Sequence, residues 1–346
     1  MSAGAGDPHI VRALARVAED GSVSKDESRD VLAELMRGEA TPAQIGSFLM
    51  GMRMKGETSE ELAGAAEAMR AVASRVTTSR TPLLDTCGTG GDGSGTYNVS
   101  TAVALVAAAA GANVAKHGNR SVSSKSGSAD VLERLGLRLD LDADQMGRCL
   151  DEVGIAFLFA PALHGAMRHA IGPRREMKLR TLFNLLGPLT NPAGAGRQLL
   201  GVYDRGRARQ VAEVLAMLGT ERAWVVHGLE GLDELSVVGP SVVFDVANGE
   251  VEERELDPKA LGFPAVDPAE LAGGTPEENA DWMRKLLEGR EVGGSRQMVV
   301  LNTAAALVVT GRVDDLTAGR ELAEETLKSG AGAELLTRLV EVARSL

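Results

Sequence analysis

The first 75 residues carry a hydrophobic pattern with a period of three to four, which is the pattern of amphipathic helices. Apolar residues recur at this spacing in the stretches 31–36 and 45–52. Capping sequences and glycines mark where helices begin and end, at Ser24, Gly38, Thr41-Pro42, Gly56 and Thr58. The pattern therefore predicts a small bundle of four helices.

From residue 82 the pattern changes to short apolar runs that alternate with segments of helical period. The runs read PLLDTC, NVAKH, IAFLFA, QLLGVY and RAWVVH, and each has the length of a buried strand. Strands that alternate with helices are typical of a mostly parallel sheet. Two extended runs about Asn248-Gly249 predict a hairpin instead, and the pattern after about residue 275 is helical again.

The fold class that this order predicts is α/β, with a small N-terminal helical-bundle domain and a larger α/β domain. The larger domain has a mostly parallel central sheet and a helical C-terminal part. We place the small domain at residues 1–75, joined in space by helices near 170–190, and the large domain at residues 76–346. Because no internal repeat or low-complexity linker marks the boundary, we expect a hinge near residues 75–84 rather than a flexible tether.

Composition and charge indicate which kinds of molecule the chain is not expected to bind. The 346 residues include 37 Lys and Arg against 48 Asp and Glu, a formal net charge of −11, and only 3% aromatic residues. Such a chain is poorly suited to neutralise nucleic-acid phosphates or to stack bases. It has no apolar run of about 18 residues, and its N-terminus MSAGAGDPHI lacks the basic and apolar regions of a leader. We expect a cytoplasmic protein with no nucleic-acid and no membrane partner.

The most informative stretch for chemistry is the glycine-rich loop DTCGTGGDGSGTYNVST at residues 85–101, directly after the first predicted strand. Gly88, Gly90 and Gly93 fit the dinucleotide-binding pattern G-x-G-x-x-G, so a nicotinamide or flavin enzyme is one candidate. Such an enzyme needs an acidic residue at the end of the second strand to bind the ribose hydroxyls. Lys116 stands at that place. The loop is therefore better suited to a phosphate than to a ribose diol.

A second loop, KHGNRSVSSKSGS at residues 116–128, supports a phosphate site because it combines basic residues with five serines. In the first loop, Asn98, Ser100 and Thr101 lie where a helix begins, so backbone N–H groups, hydroxyls and the helix dipole favour an anion there. Asp92 would repel a phosphate unless a metal ion or a sugar hydroxyl lies between them. The ligand is therefore expected to carry hydroxyl groups, a divalent metal ion or both.

Two adjacent carboxylates follow the strand RAWVV, in the loop HGLEGLDELS. On its own, a pair such as Asp233-Glu234 is usually ordinary surface charge. Open α/β sheets, however, gather their ligand-binding loops at the carboxyl ends of the strands, where the two loops above also lie. Because magnesium prefers one or two carboxylates together with ligand phosphates, the pair is a candidate metal site.

The segment 164–191 gives this acidic chain a local basic face, formed by Arg168, Arg174, Arg175, Lys178 and Arg180. For most of these residues we expect a solvated face with salt bridges. Arg174 and Arg175 follow Gly172-Pro173 and are expected at a helix start, where a cation opposes the dipole. Such a placement indicates an anion nearby, and an arginine can bind a carboxylate with two hydrogen bonds.

Together these segments resemble the anthranilate phosphoribosyltransferase family, within the phosphoribosyltransferase and pyrimidine-phosphorylase fold group. The resemblance covers nearly the whole chain and is carried by DTCGTGGD, AKHGNRSVSSKSGSADVLERLG, FLFAPALHGAMRH, RTLFNLLGPLTNP, QLLGVY and HGLEGLDELS. It implies transfer of the 5-phosphoribosyl group from 5-phosphoribosyl-1-pyrophosphate (PRPP) to the amino group of anthranilate, the second step of tryptophan biosynthesis from chorismate. It also implies magnesium, at two ions per subunit, and a homodimer formed through the N-terminal helical domain.

The resemblance assigns residues to three parts of the site. The residues implied for PRPP binding are Gly88, Gly91, Asp92, Thr96, Asn98, Val99, Ser100, Thr101, Lys116, His117, Gly118, Asn119, Arg120, Ser121, Val122, Ser123, Ser124 and Ser128. Those implied for anthranilate binding are Gly88, Asn119, His164, Arg174 and Pro188. The implied metal ligands are Ser100, Asp233 and Glu234.

The chemistry that the resemblance implies builds positive charge on the ribose carbon and negative charge on the departing pyrophosphate. Lys116 and magnesium would stabilise this leaving group. The aromatic amine is already a neutral nucleophile at pH 7, so no strong general base is expected. His117 is therefore assigned to lining the site.

Two alternatives remain open at this point. A pyrimidine-nucleoside phosphorylase, or a family member with a changed acceptor, would share the fold, and turnover of a nucleoside with phosphate would reveal it. A nucleic-acid-binding relative would need a basic stripe across the dimer, which the net charge of −11 disfavours.

Overall fold

Four helices form the first part of the chain in the computed structural model, which describes residues 6–121 and 125–346. They are α1 (His9–Val17), α2 (Lys25–Arg37), α3 (Pro42–Lys55) and α4 (Ser59–Val72). The side chains of Ser24, Thr41 and Thr58 each accept a hydrogen bond from the backbone N–H three residues on, and Gly38 ends α2 with φ 78°. These contacts satisfy backbone groups at the helix ends. The predicted four-helix bundle is confirmed.

One seven-stranded sheet forms the centre of the larger part. Its strands are β1 (Leu83–Gly88), β2 (Asn113–Gly118), β3 (Ile155–Phe159), β4 (Arg197–Gly201), β5 (Arg222–Gly228), β6 (Ser241–Ala247) and β7 (Glu250–Leu256). Their order is β3-β2-β1-β4-β5-β6-β7, with β1 to β5 parallel and β6 and β7 antiparallel. Asn248 and Gly249 turn the chain between β6 and β7 with φ of 54° and 79°, which confirms the predicted hairpin.

The strand order places a crevice beside β1. The chain moves from β1 outward to β2 and β3, then returns to the other side of β1 as β4 and β5. Loops at the carboxyl ends of neighbouring strands diverge at such a switch point, and ligands bind there. The glycine-rich loop follows β1, the serine-rich loop follows β2, and the Asp233-Glu234 loop follows β5. The topology therefore brings the three predicted loops to one edge of the sheet.

Helices cover both faces of the sheet and form the C-terminal part, as predicted. They are α5 (Val99–Ala109), α6 (Ser128–Arg134), α7 (Ala143–Val153), α8 (Ala160–Leu163), α9 (Arg168–Met177), α10 (Phe183–Leu186), α11 (Arg205–Met217), α12 (Pro276–Leu287), α13 (Gly294–Val309), α14 (Leu316–Ser329) and α15 (Ala331–Ser345). The alanine-rich α5 lies between the sheet and the helices α13 to α15. In the two stretches that the structure describes, no helix is long and apolar enough to cross a membrane.

Alternate strand residues enter two separate cores, one on each face of the sheet. Leu199 and Trp224 belong to the core that contains α5 and the C-terminal helices. Their neighbours Leu200 and Val225 belong to the core that the helical bundle shares with α9 to α11. The two-residue period of a strand produces this division. The bundle therefore packs directly onto the sheet domain, and α9 packs against α2 and α3.

Candidate active site

The glycine-rich loop after β1 takes a backbone path that favours glycine. Four glycines between residues 90 and 95 have φ between 63° and 76°, a region that other residues rarely adopt. The Gly90 N–H donates a hydrogen bond to Asp233 Oδ2 at 2.9 Å. A Cβ added to Gly88 would lie 2.8 Å from the same oxygen. The first loop and the acidic pair are therefore in contact.

The three candidate metal ligands, Ser100, Asp233 and Glu234, lie together with Lys116. The Ser100 backbone N–H acts to lower the pKa of the Glu234 carboxyl, against the larger opposing effect of burial. The Lys116 ammonium donates to Ser100 Oγ at 3.3 Å and to the Thr86 carbonyl at 2.5 Å. Lys116 is only 3% exposed, so its charge acts through little water. A buried cation and a pair of carboxylates thus meet around the start of α5.

Burial, together with repulsion between neighbouring carboxylates, shifts the pKa values of this cluster. Burial, followed by the nearby Asp92 carboxylate, raises the pKa of Asp233 to about 7. Burial and the charge of Asp233 raise the pKa of Glu234 well above its usual range. Burial also lowers the pKa of Lys116, although the charge of Asp85 opposes that change. Perturbed groups that share one cleft are typical of a functional site.

The donor set fits magnesium better than a metal held by protein alone. In the described ranges, no group of three or more His, Cys, Asp or Glu side chains could hold a metal ion. Two carboxylates and the Ser100 hydroxyl leave part of a coordination shell to other oxygens. Magnesium usually keeps waters and binds ligand phosphates in this way.

Asp85 supports the site from within the sheet, a role that was not predicted from the sequence. Asp85 is fully buried, and its two oxygens accept the His117 N–H at 3.0 Å and the Asn191 amide at 2.8 Å. The Asn191 amide also donates to the Ala115 carbonyl at 2.8 Å. This network fixes the segment after α10 against β1 and β2. An acidic residue inside the apolar run PLLDTC is the signal that could have revealed it.

Two buried histidines lie beside the network. The rings of His117 and His164 are 5.2 Å apart between centroids, and His117 Nδ1 is 3.1 Å from the Gly187 carbonyl oxygen. Burial lowers the pKa of His117 to about 3, so the ring is neutral at pH 7 and donates this hydrogen bond. Neither Nε2 atom has a hydrogen-bond partner among the described residues. The pair forms a neutral polar wall rather than a charged one.

His117 is expected to make the fold sensitive to acid. Its pKa rises from about 3 in the folded chain to the ordinary 6.5 on unfolding. As pH falls below 6.5 the unfolded chain binds a proton that the folded chain does not, so stability is lost. Between pH 7 and pH 5 we expect wild type to lose about 2 kcal/mol more unfolding free energy than His117→Asn. Urea unfolding at the two pH values measures this difference, and equal losses would contradict the assignment.

The expectation that Arg174 and Arg175 begin a helix is wrong. Helix α9 already begins at Arg168, and Pro173 lies inside it, so both arginines occupy its last turn. The sequence prediction took proline as a first-position signal. Packing decides otherwise, because Ala170 and Pro173 are buried and α9 packs against the bundle. At a C-terminal end the helix dipole favours a cation, so the dipole gives no reason to expect an anion there.

Arg174 remains a candidate for a different reason. Its guanidinium lies 5.0 Å from the centre of the Phe183 ring, and burial lowers its pKa. Within residues 6–121 and 125–346 the guanidinium has no ion-pair or hydrogen-bond partner, in contrast to most other arginines. A partly buried and unpaired cation favours binding of an anion.

The serine-rich loop after β2 is partly described. The Arg120 guanidinium pairs with Asp130 and Glu133, at 2.9 Å each. The Ser128 hydroxyl donates to the Asn119 carbonyl at 3.1 Å, close to Gly118, where an added Cβ would lie 2.5 Å from Ser128 Oγ. Asp130 also accepts the backbone N–H of Ser121. Three predicted residues of this loop, Val122, Ser123 and Ser124, lie outside the described residues.

The glycine-rich loop and the serine-rich loop meet at Asn98. The Asn98 amide donates to the Ser126 carbonyl at 3.2 Å, and its oxygen accepts the Asn279 amide at 2.8 Å. Tyr97 stacks on Trp282 with ring centroids 4.3 Å apart. Asn279 and Trp282 were not predicted from the sequence, because nothing in the helical pattern after residue 275 distinguishes them.

The remaining predicted residues of the first loop lie where it leads into α5. Thr96 forms an isolated bridge with Ala272. Val99 and Thr101 are buried in the first turn of α5, and Thr101 Oγ1 has no hydrogen-bond partner in the described chain. Pro188 is buried, and its carbonyl accepts the Gln198 amide at 2.9 Å. The structure therefore gathers these residues around one crevice.

Comparisons with known proteins show the family to which the chain belongs. Family models match residues 11–73, described as the helical bundle domain of a glycosyl transferase family, and residues 80–333, described as its a/b domain. The chain is 52% identical to the anthranilate phosphoribosyltransferase of Pelotomaculum thermopropionicum over 337 residues, 97% of each chain.

Two solved structures show the same architecture. Anthranilate phosphoribosyltransferase from Thermus thermophilus has a TM-score of 0.91 and 42% identity, over 98% of this chain and 100% of that one. The Saccharomyces cerevisiae enzyme, solved in complex with PRPP and Mg, has a TM-score of 0.90 and 26% identity, over 97% and 98%. The resemblance seen in the sequence is confirmed, and this chain belongs to the anthranilate phosphoribosyltransferases of that glycosyl transferase family.

Proposed function

We propose that this chain transfers the 5-phosphoribosyl group of PRPP to the amino group of anthranilate, giving N-(5-phosphoribosyl)anthranilate and pyrophosphate. This reaction is the second step of tryptophan biosynthesis from chorismate. The observation that carries the proposal is the unpaired guanidinium of Arg174. It belongs to the segment 164–191, which contacts the phosphate loops at His117 and Gly90. A site for a carboxylate thus adjoins a site for a pyrophosphate.

The donor site combines the two loops with the acidic pair. We assign the PRPP phosphates and ribose to the predicted residues between Gly88 and Thr101 and between Lys116 and Ser128. Ser100, Asp233 and Glu234 would hold magnesium, at two ions per subunit, and magnesium when bound supplies positive charge to the pyrophosphate. The yeast relative in complex with PRPP and Mg supports the same donor and metal here.

The protein's contribution to the reaction is electrostatic. Breaking the bond between ribose C1 and the pyrophosphate oxygen leaves negative charge on the pyrophosphate and positive charge on the sugar. Lys116, buried beside Ser100, supplies a fixed positive charge where the leaving group departs. The amine of anthranilate attacks C1 with its own lone pair, and the proton that the new N–C1 ammonium group loses passes to water or to the released pyrophosphate. Because the His117 ring is neutral, it adds no positive charge beside the positively charged sugar.

The acceptor site is assigned to Arg174, His164, Pro188, Asn119 and the backbone at Gly88. Arg174 would bind the anthranilate carboxylate with two hydrogen bonds. Such a clamp orients the amine toward C1, and correct orientation lowers the barrier by removing rotational freedom in advance. The unpartnered Nε2 atoms of the two histidines supply polar groups in the same wall.

Arg174→Ala is expected to raise the KM for anthranilate by about 10- to 100-fold, because it removes a charged hydrogen-bond donor to the carboxylate. The KM for PRPP should change less. Arg175→Ala removes an exposed arginine from the next position and serves as the control, with unchanged constants. Steady-state kinetics with each substrate varied in turn gives both values. An equal rise for both substrates would mean that Arg174 is structural.

A pyrimidine-nucleoside phosphorylase is the enzyme alternative with the same fold. Product analysis separates the two reactions. With anthranilate, PRPP and magnesium, we expect one pyrophosphate to be released for each anthranilate consumed. Phosphorolysis of uridine or thymidine, with no consumption of anthranilate, would overturn the proposal.

The proposed function also includes a hinge between the two domains and a homodimer. We place a hinge at residues 75–84, and the gap between the two matched family models, from residue 73 to residue 80, supports it. We place the homodimer contact on the N-terminal helical domain. The exposed Met50 and Met54 of α3, at 38% and 76% exposure, are apolar side chains that such a contact could cover.

A further inference from the structure

Arg180 lies in the segment 164–191, which carries the proposed acceptor site, and its side chain reaches the glycine-rich loop. It follows α9, and its Nη2 donates to the Gly90 carbonyl at 3.0 Å. The guanidinium carbon lies 4.2 Å from the centre of the Tyr203 ring, beyond the end of β4. The Arg53 side chain of α3 donates to the Arg180 carbonyl. The guanidinium of Arg180 is therefore held by the loop and the Tyr203 ring, and its backbone carbonyl is held by the bundle.

The loop passes so close to this guanidinium that no side chain fits between them. A Cβ added to Gly91 would collide with Arg180 Nη2. Gly91 also has φ 76°, which independently favours glycine. The guanidinium occupies the space that any other residue at position 91 would fill.

Arg180 has no carboxylate partner in the part of the chain that the structure describes. Its contacts are a backbone carbonyl and an aromatic face, which hold a planar guanidinium in one orientation. A surface arginine that only improves solubility would not show this arrangement. Among the described residues, none of the five basic residues of this face forms a salt bridge, so the expected salt bridges are absent at Arg180 as they are at its neighbours.

We propose that Arg180 is a positioning residue that holds the glycine-rich loop in the conformation that receives the PRPP pyrophosphate. Because Arg180 lies six residues after Arg174, it also links the acceptor pocket to the donor loop. This inference rests on the proposed function. It adds that the segment that carries Arg174 also fixes the donor loop, through the contact of Arg180 with Gly90.

Kinetics of Arg180→Ala test the positioning role. We expect kcat/KM for PRPP to fall by about 10- to 100-fold, the range for loss of a hydrogen bond from a charged donor, with a smaller change in the KM for anthranilate. Arg180→Lys should recover part of the loss, because lysine can donate to Gly90 but cannot stack flat on Tyr203. Arg168→Ala, an exposed arginine of α9, is the control. Wild-type kinetics for Arg180→Ala would overturn the inference, and so would equal losses for both substrates.

A double-mutant cycle with Gly91→Ala gives a second, independent test. In the wild type the new methyl group collides with the guanidinium, whereas in Arg180→Ala the colliding atoms are gone. We therefore expect Gly91→Ala to reduce kcat/KM for PRPP by a clearly smaller factor in the Arg180→Ala background. Strictly multiplicative losses would contradict the contact. Thermal unfolding of all four proteins identifies any variant that fails to fold.

Failure of this inference can be told apart from failure of the proposed function. If wild type does not consume anthranilate, the proposed function fails. The steady-state kinetics of the variants then cannot be measured. The loop contact is then measured by titrating wild type, Arg180→Ala and Arg168→Ala with magnesium pyrophosphate in a calorimeter. At least about tenfold weaker binding by Arg180→Ala alone supports the positioning role, and equal binding overturns it.

Discussion

An Asp233→Ala, Glu234→Ala double variant is expected to turn over at least about 1000-fold more slowly than wild type, because it removes both carboxylate ligands of the metal that stabilises the pyrophosphate. The fold should survive. Burial and mutual repulsion raise the pKa of both groups, so these carboxylates contribute little to the stability of the empty protein at neutral pH. Rates measured across a magnesium titration, together with thermal unfolding, give both results.

The control for this double variant removes two carboxyl groups elsewhere. Glu252 and Glu255 lie exposed on β7, at the edge of the sheet far along the strand order from β1. Their double alanine variant should keep wild-type turnover at every magnesium concentration. If the Asp233, Glu234 variant kept its activity at limiting magnesium, the assignment of the metal site would be wrong.

Lys116→Met is expected to lower kcat by about 100- to 1000-fold, the loss that follows removal of one preorganised donor to a developing anion. Methionine matches the length of the lysine stem and removes only the ammonium group. That group is buried between Thr86 and Ser100, where water cannot replace its charge. The KM for anthranilate should change little, because the acceptor contacts lie elsewhere.

Lys116→Met should still fold, because Asp85 keeps the His117 N–H and the Asn191 amide as partners. Burial already raises the pKa of Asp85, so this carboxyl can take up a proton when the ammonium is gone. Lys259→Met, at an exposed position, is the matched control and should match wild type. A Lys116→Met enzyme within about twofold of wild type would exclude a role in leaving-group stabilisation.

The helical bundle and the sheet were predictable because their signals are local. Ser24, Thr41 and Thr58 each cap a helix through contacts three residues apart. Both partners of each contact therefore lie within one short stretch of sequence. The strands follow from short apolar runs, and their parallel order follows from the helices between them. The convergence of the loops after β1, β2 and β5 then follows from the rule that parallel strands end at one edge.

The start of α9 was predicted wrongly, and the roles of Asp85 and Arg180 were not predicted, because they depend on contacts between residues far apart in the sequence. Helix α9 continues through Pro173 because its buried face packs against the bundle, about 130 residues earlier in the chain. Asp85 meets Asn191 across 106 positions, and Arg180 meets Gly90 across 90. No pattern of period two or 3.6 contains such pairs. An arginine that holds a loop and an arginine on a solvated face look alike until the fold is known.

In the crevice beside β1, the phosphoribosyl group of PRPP passes to anthranilate and pyrophosphate leaves, with the help of magnesium. The most direct measurement mixes the protein with anthranilate, PRPP and magnesium and follows the fluorescence of anthranilate. We predict that the fluorescence falls only when all components are present, and that a chelator added at the start prevents the loss. Unchanged fluorescence with folded protein and all components would contradict the account.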